Sequence, residues 1–355
     1  PDSQVPTAAP RRRSLARRIL LALAGIYVGL CAAGAFVSMR ETTMNGTDIY
    51  TTAVPVAPTD IELLFDTTGH RADGGEPVIR QEILPAMLEM VREAGEVIVL
   101  DQFLINAFRG RTADASIHRD SSGELVQALV EKLKAAPDTL ILFVTDPVNS
   151  VYDAACPAVL EPLVRAGGHV VLTDLRQMPD SNPLYSLPFR ALRPLLRRLP
   201  PLRHPVLAHP FSSAHGKIAP LQLLELLNFK ANHRKVLVTK RTDGNWTALV
   251  ASANPHTASS AHSNVAIRLT GGPLDTILDS ELAIAGDTIR ARPELLFSGD
   301  DSERLLGRLE TLKNSTAPTT PPDGNLGQTR VRYCSESAVG ATVQELIRQA
   351  GQGDR

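Results

Sequence analysis

His233 and Lys235 stand two positions apart at the head of an apolar run, Val236-Leu237-Val238, and Ser252-Ala253-Asn254 follows after a turn. Residues spaced by two on a strand project to the same face. A neutral imidazole keeps one nitrogen free as a nucleophile, and an unperturbed pKa of about 6.5 also lets it pass a proton. The lysine ammonium is a compact charge that neutralises phosphate oxygens as negative charge builds during attack. Together these groups form half of a site for attacking phosphate diesters. Attack by these groups needs no metal, so no cofactor is expected.

The elements that must hold these groups are readable from periodicity. Ile83, Leu84, Met87, Leu88 and Val91 fall at helical spacing within residues 82–94, closed by Gly95. Val97–Leu100 reads as a buried strand running on through Phe103-Leu104-Ile105. A helix over 123–135, a strand over 140–144, a helix over 159–166 and a strand over 170–172 follow. This alternation predicts an α/β fold with a largely parallel sheet covered on both faces. Asp101 and Asp146 fall at the carboxyl ends of two strands, where they line a cleft or cap a helix. Residues 176–220 break the pattern with recurrent prolines beside Arg190, Arg193, Arg197, Arg198 and Arg203. They read as an irregular basic insertion with one short helix near 189–198, its arginines facing lipid phosphates or solvent. Strands at the His233 run, 246–251 and 265–269 complete the region, with a turn at 242–245.

At 355 residues, 43% hydrophobic and net charge −1, the chain has length for two domain-sized units and no global basic surface that would point to nucleic acid. Cys31, Cys156 and Cys334 match no metal-ligand spacing; Cys156 and Cys334 are either a disulfide outside the cytoplasm or two free thiols. Five arginines between 11 and 18 precede an uncharged run, Ile19 to Met39, of 21 residues. Such a run spans a hydrocarbon core of about 30 Å. The basic flank predicts a cytoplasmic tail over 1–18, an anchor over 19–39 and the rest outside, on the periplasmic side of a bacterial membrane. Cleavage at Ala33-Gly34-Ala35, which would give a secreted protein, is the competing expectation. Residues 40–60 read as a stalk, 61–313 as a first domain and 314–328 as a linker. Glu89–Gly95 is then echoed by Glu345–Gly351, 256 residues on, with four of seven residues identical. Residues 329–355 therefore read as the start of a second domain, and the chain, running from Pro1 to Arg355, as part of a longer protein.

His233-Arg234-Lys235 with the downstream Ser252-Ala253-Asn254 resembles the phospholipase D superfamily and its H-x-K-x4-D motif. The resemblance covers about residues 61–300 and implies an α-β-α sandwich with a mixed, largely parallel sheet. It also implies two such motifs, one per half, meeting at one site. One histidine attacks phosphorus and forms a phosphohistidine. The other protonates the leaving alcohol and then activates water or an acceptor alcohol, as in cardiolipin-synthase-like transfer. The matched positions are His233 and Lys235 for catalysis, with Ser252, Asn254 and, further off, Asn264 on the substrate side. Where the family carries Asp, seven residues after His233, this chain has Lys240. Strand parity turns position 240 away from His233 and Lys235, which makes that aspartate structural; Asp243 in the next turn is a possible replacement. Near Ser263, where some members carry a carboxylate that orients the histidine, there is none.

A second H-x-K, His215-Gly216-Lys217, lacks the apolar strand and the Ser-x-Asn that support His233. His256 and His262 read as loop histidines. The expected function is a membrane-anchored phosphodiesterase or phosphatidyltransferase on phospholipid, completed by a second half or a second copy, with nucleic acid an unlikely partner. A nuclease of the same superfamily and a degenerate lipid-binding scaffold are the competing expectations. If the histidine route holds, diester turnover in saturating EDTA equals the untreated rate; strong inhibition by the chelator marks a metal-dependent reaction instead.

Overall fold

The computed structural model describes residues 11–41, 49–69, 72, 75, 77–108, 118–211, 216–315 and 329–350. His215 and most of the expected linker lie outside the described residues. In chain order the elements are α1 (Arg11–Glu41), β1 (Val54–Pro55), β2 (Ile61–Gly69), β3 (Val78–Arg80), α2 (Ile83–Glu93), β4 (Ala94–Gln102), α3 (Ser121–Ala135), β5 (Leu140–Thr145), α4 (Glu161–Arg165) and β6 (His169–Leu172). There follow α5 (Pro183–Leu196), α6 (Pro220–Leu226), β7 (Lys235–Arg241), β8 (Trp246–Ala251), β9 (Asn264–Leu269), α7 (Leu274–Ala291), β10 (Leu296–Phe297), α8 (Ser302–Ser315), β11 (Arg330–Val331) and α9 (Ser337–Ala350). They fall into two compact units.

The larger unit holds residues 44–175, 207–218 and 231–355. Its main sheet has nine strands in the order β10-β6-β5-β4-β7-β8-β9-β2-β3. Side chains alternate strictly between two cores. Ile98, Leu100, Ile141, Phe143, Leu237 and Leu249 face α2, α3 and α4. Val97, Val99, Leu142, Val144, Val236, Val238 and Ala248 face α7 and α8. This is the expected α-β-α layering. The mixed sheet is also as expected, but its balance is not. Among the described residues only β4-β5-β6 pair in parallel, joined by the helical crossovers α3 and α4. From β7 onward the connections are too short for crossovers, so β7, β8 and β9 pair antiparallel, and β2 and β3 extend that side. The antiparallel β4–β7 pair is the seam between the two regimes.

Helices α2 and α3 lie where their periodicity puts them, and the Asp120 side chain caps α3 by accepting from Gly123 N at 3.2 Å. The strand expected to run through Ile105 stops at Gln102, where the chain turns into the site. The helix expected over 159–166 is a 3-10 turn followed by the short α4, because Pro162 supplies no backbone donor. No disulfide forms: Cys156 packs at the edge of the first core, while Cys334 Sγ lies 3.2 Å from Thr342 Oγ1.

The stalk and tail segments pair with each other. Val54 lies opposite Val331 and Pro55 opposite Arg330. Helix α9 leaves Val339, Val343, Leu346 and Ile347 exposed along one side.

The smaller unit holds residues 1–43, 176–206 and 219–230. Leu15–Glu41 of α1 is 27 residues long and apolar enough to cross a membrane. The basic insertion is more ordered than its prolines suggest, since α5 tolerates Pro183 in its first turn and both Pro188 and Pro194 internally. Arg190 is buried and bonds Glu41 at 2.6 Å and Asp180 at 2.9 Å, and Lys230 reaches Asp180 at 3.0 Å. Arg193 bonds Glu225 at 2.6 Å.

Phe143 is fully buried in β5, an interior strand of the sheet. Phe143→Ala is expected to cost about 3–5 kcal/mol in chemical denaturation followed by circular dichroism.

Candidate active site

Residues 231–234 precede β7 rather than belong to it, and the strand itself opens at Lys235. Phe103 N still donates to Arg234 O at 2.9 Å, so the β4 ladder continues past the strand ends. Register pairs Gln102 with Lys235 and Asp101 with Val236. The amino end of β7 therefore meets the carboxyl ends of β4 and β5, at the point where pairing changes from parallel to antiparallel. That is the usual location of a ligand crevice in open α/β sheets.

Alternation then sorts the segment. Asn232 and Arg234 are drawn inward. Asn232 is fully buried; its Nδ2 donates to Asp101 Oδ1 at 2.9 Å, Asp101 Oδ2 at 2.8 Å and Thr173 Oγ1 at 2.9 Å. Its backbone N–H donates to Asp146 Oδ2 at 2.7 Å, while Asp146 Oδ1 accepts from Val148 N at 2.7 Å. Asp146 thus caps a turn and fixes the loop at once. Arg234 Nη1 bonds Glu281 at 3.0 Å and its Nη2 bonds Glu336 at 3.1 Å, with Tyr333 Oη donating to Glu281 at 3.3 Å.

These buried groups are strongly perturbed. Burial, and then the neighbouring Glu281, hold Asp101 well above the usual carboxylate range, against the pull of Arg234 and Asn232. Burial pushes Asp146 up to about 7, against its two backbone hydrogen bonds. For Arg234, burial works against the charge, but Glu281, Tyr333, Asp101 and Glu336 outweigh it and raise its pKa.

His233 and Lys235 come together between these anchors. Lys235 Nζ lies 3.3 Å from His233 Nδ1 and donates to the His233 carbonyl at 2.9 Å. Phe103 floors both: its ring centroid is 4.5 Å from that of the imidazole, and Lys235 Nζ is 5.0 Å from it. Burial, then the Lys235 charge, lower the His233 pKa and keep the ring neutral at pH 7. Burial brings Lys235 down to about 8, with Asp101 opposing the shift. An ammonium can only donate to Nδ1, so the neutral ring carries its proton on Nε2. Nε2 makes no hydrogen bond among the described residues, and His233 is exposed.

The other expected positions divide. Asn254 Oδ1 accepts from Leu104 N at 3.3 Å, which ties its loop to the residue after Phe103. Ser252 Oγ and Asn264 Oδ1 are 3.1 Å apart, and Ser252 Oγ also accepts from Val265 N at 3.0 Å. That pair joins β8 to β9 and makes no hydrogen bond to His233 or Lys235 among the described residues. Lys240 pairs with Glu96 at 2.5 Å and lies 5.9 Å from the Trp246 ring. It faces the α7 side, away from Lys235, as parity requires. Asp243 accepts from Asn245 N in the hairpin turn at the far end of β7 and does not replace the missing aspartate. Ser263 Oγ accepts from Thr68 N, and no described carboxylate hydrogen-bonds His233. His256 is held by Ser259 Oγ and the Phe108 carbonyl, both at 2.9 Å.

Sequence reasoning missed Phe103, Asn232 as an anchor, and the Glu281–Tyr333–Glu336 cluster. Only Asp101 and Asp146 carried a signal, as carboxylates at strand ends.

No family model matches the sequence, and no curated protein matches it. Among solved structures, the chain is similar to a phospholipase D family member, Nuc from Salmonella typhimurium, at 11% identity and TM-score 0.32, covering 63% of this chain and 92% of that one. It is also similar to phosphatidylserine synthase from Haemophilus influenzae Rd KW20, at 10% identity and TM-score 0.32, covering 86% of this chain and 50% of that one. This chain thus spans half the length of the synthase. Likenesses at these identities assign no residue roles, so the site rests on its own side chains.

Lys235 carries its charge below a pH of about 8 and loses it above. Binding of a dialkyl phosphate, whose single charge does not titrate in this range, is expected to weaken as pH rises through about 8. Calorimetry on the Lys235→Arg variant should show that weakening moved to higher pH, since guanidinium stays charged.

Proposed function

We propose that this chain is a phospholipase D-like phosphodiesterase or phosphatidyltransferase, acting on phospholipid through a phosphohistidine and anchored by α1 with the larger unit outside the cytoplasm. The observation that carries this reading is the His233–Lys235 pair: an exposed neutral imidazole 3.3 Å from a buried ammonium, on an aromatic floor at the seam of the sheet. The ammonium supplies charge to a phosphoryl oxygen, and the imidazole is positioned for proton transfer or attack. A neutral imidazole of lowered pKa is a base or nucleophile rather than an acid at pH 7, so His233 is set to attack phosphorus or to take a proton, once its exposed Nε2 is the nitrogen without hydrogen. Binding of the phosphate anion draws Lys235 off Nδ1 and frees the other tautomer. Asn254 stands beside the floor as a further polar contact; Ser252 and Asn264 shape the β8–β9 edge of the same side.

The reaction needs a second histidine, which we assign to a second domain of like fold or to a second copy of the chain. Helix α9 supports this. The echo of α2 in its sequence aligns Val343, Leu346 and Ile347 with Met87, Met90 and Val91. The three α2 residues are buried against the sheet, whereas the three in α9 are exposed. An α2-like helix without its sheet is what the first piece of a second domain presents.

His233→Ala in the full-length protein is expected to lower turnover of phosphatidylglycerol vesicles by at least about 100-fold, with an unchanged circular dichroism spectrum. Undiminished turnover removes His233 from the chemistry. Turnover of DNA in place of phospholipid makes the protein a nuclease.

A further inference from the structure

The smaller unit presents an arrangement that the site does not use. Tyr27 Oη of α1 donates to the Leu184 carbonyl at the start of α5 at 2.6 Å. Seven residues on, Gly34 is buried against the backbone of Leu187, and a Cβ at position 34 would collide with the Leu187 carbonyl. Only glycine permits that approach. Both Tyr27 and Gly34 lie inside the uncharged run 19–39. Whatever seats on them shares the depth of that run.

The segment seated there is suited to the depth. Leu184 is 74% exposed, Leu195 57% and Phe229 66%, and Leu199, Val206 and Leu227 are exposed as well. Its acidic groups are neutralised internally: Asp180 and Glu41 by Arg190 and Lys230, and Glu225 by Arg193. Arg198 and Arg203, just past α5, are exposed and make no ion pair among the described residues. An apolar surface with buried, neutralised carboxylates and outlying arginines matches the acyl region and phosphate layer of a bilayer.

We propose that α5 is a second bilayer-inserted element, an amphipathic helix lodged against α1 in the leaflet at the Glu41 end, with Arg198 and Arg203 at the lipid phosphates. This rests on α1 spanning the membrane. The insertion is then a membrane wedge, not a solvated loop. The occupant of its apolar face is the lipid of the membrane that α1 enters, because α1 and α5 share one contact surface.

The test uses the full chain with Cys31, Cys156 and Cys334 replaced by Ala, and single cysteines introduced as Val28→Cys or Leu184→Cys. Each is labelled with an environment-sensitive fluorophore and reconstituted in vesicles containing acyl-brominated lipid. Strong quenching at 184, comparable with that at 28, is the expected result. Quenching at 28 without quenching at 184 overturns the wedge and leaves the anchor standing. Absence of quenching at 28 overturns the anchor and the wedge with it.

Discussion

The site depends on one constraint: Asn232 and Arg234 are pinned inward by buried carboxylates. Asp101 takes both of its oxygens to Asn232, and Glu281 holds Arg234. Because the chain alternates, pinning residues 232 and 234 leaves 233 and 235 facing the opposite way. The imidazole and the ammonium are presented by the backbone geometry that these anchors impose. Removing one partner of such a buried pair strands the other's charge, at a cost of about 3–5 kcal/mol. The clamp therefore sets orientation more than net stability.

That clamp also explains the position of the tail segment. Tyr333 and Glu336 close the Glu281–Arg234 cluster, and β11 pairs with β1. Residues that sequence reading assigns to a following domain are thus partners of the loop that carries His233 in the first. A motif that looks like a short basic stretch is held from four directions: β4 through Asp101, the β5 turn through Asp146, α7 through Glu281, and the tail through Glu336.

Much of this was legible in the chain. The βαβ portion followed from periodicity, and the facing of Lys240 followed from strand parity. The antiparallel half was less so, because β2 mixes exposed Leu63 and Phe65 with buried Leu64 and Asp66. Its exposed and buried residues mix polar and apolar, and its register is set by β9 over Ile61–Asp66 and by β3 over Thr67–Gly69. Helix α7 buries Ser280, Glu281 and Thr288 beside its leucines and isoleucines, which blurs an amphipathic stripe. Of these, Ser280 and Glu281 meet Arg234, while Thr288 accepts from Asp174 N. Phe103 carried no signal, since a phenylalanine after an apolar strand reads as core.

We propose that His233 and Lys235 form one anion site with a desolvated lysine. NMR titration of Lys235 in protein labelled at lysine 13Cε, with and without a dialkyl phosphate, tests this most directly. A midpoint of about 8 is expected in the free protein, moving upward when the diester binds. A midpoint at the ordinary lysine value of about 10.4 that the diester leaves unmoved would contradict a shared anion site.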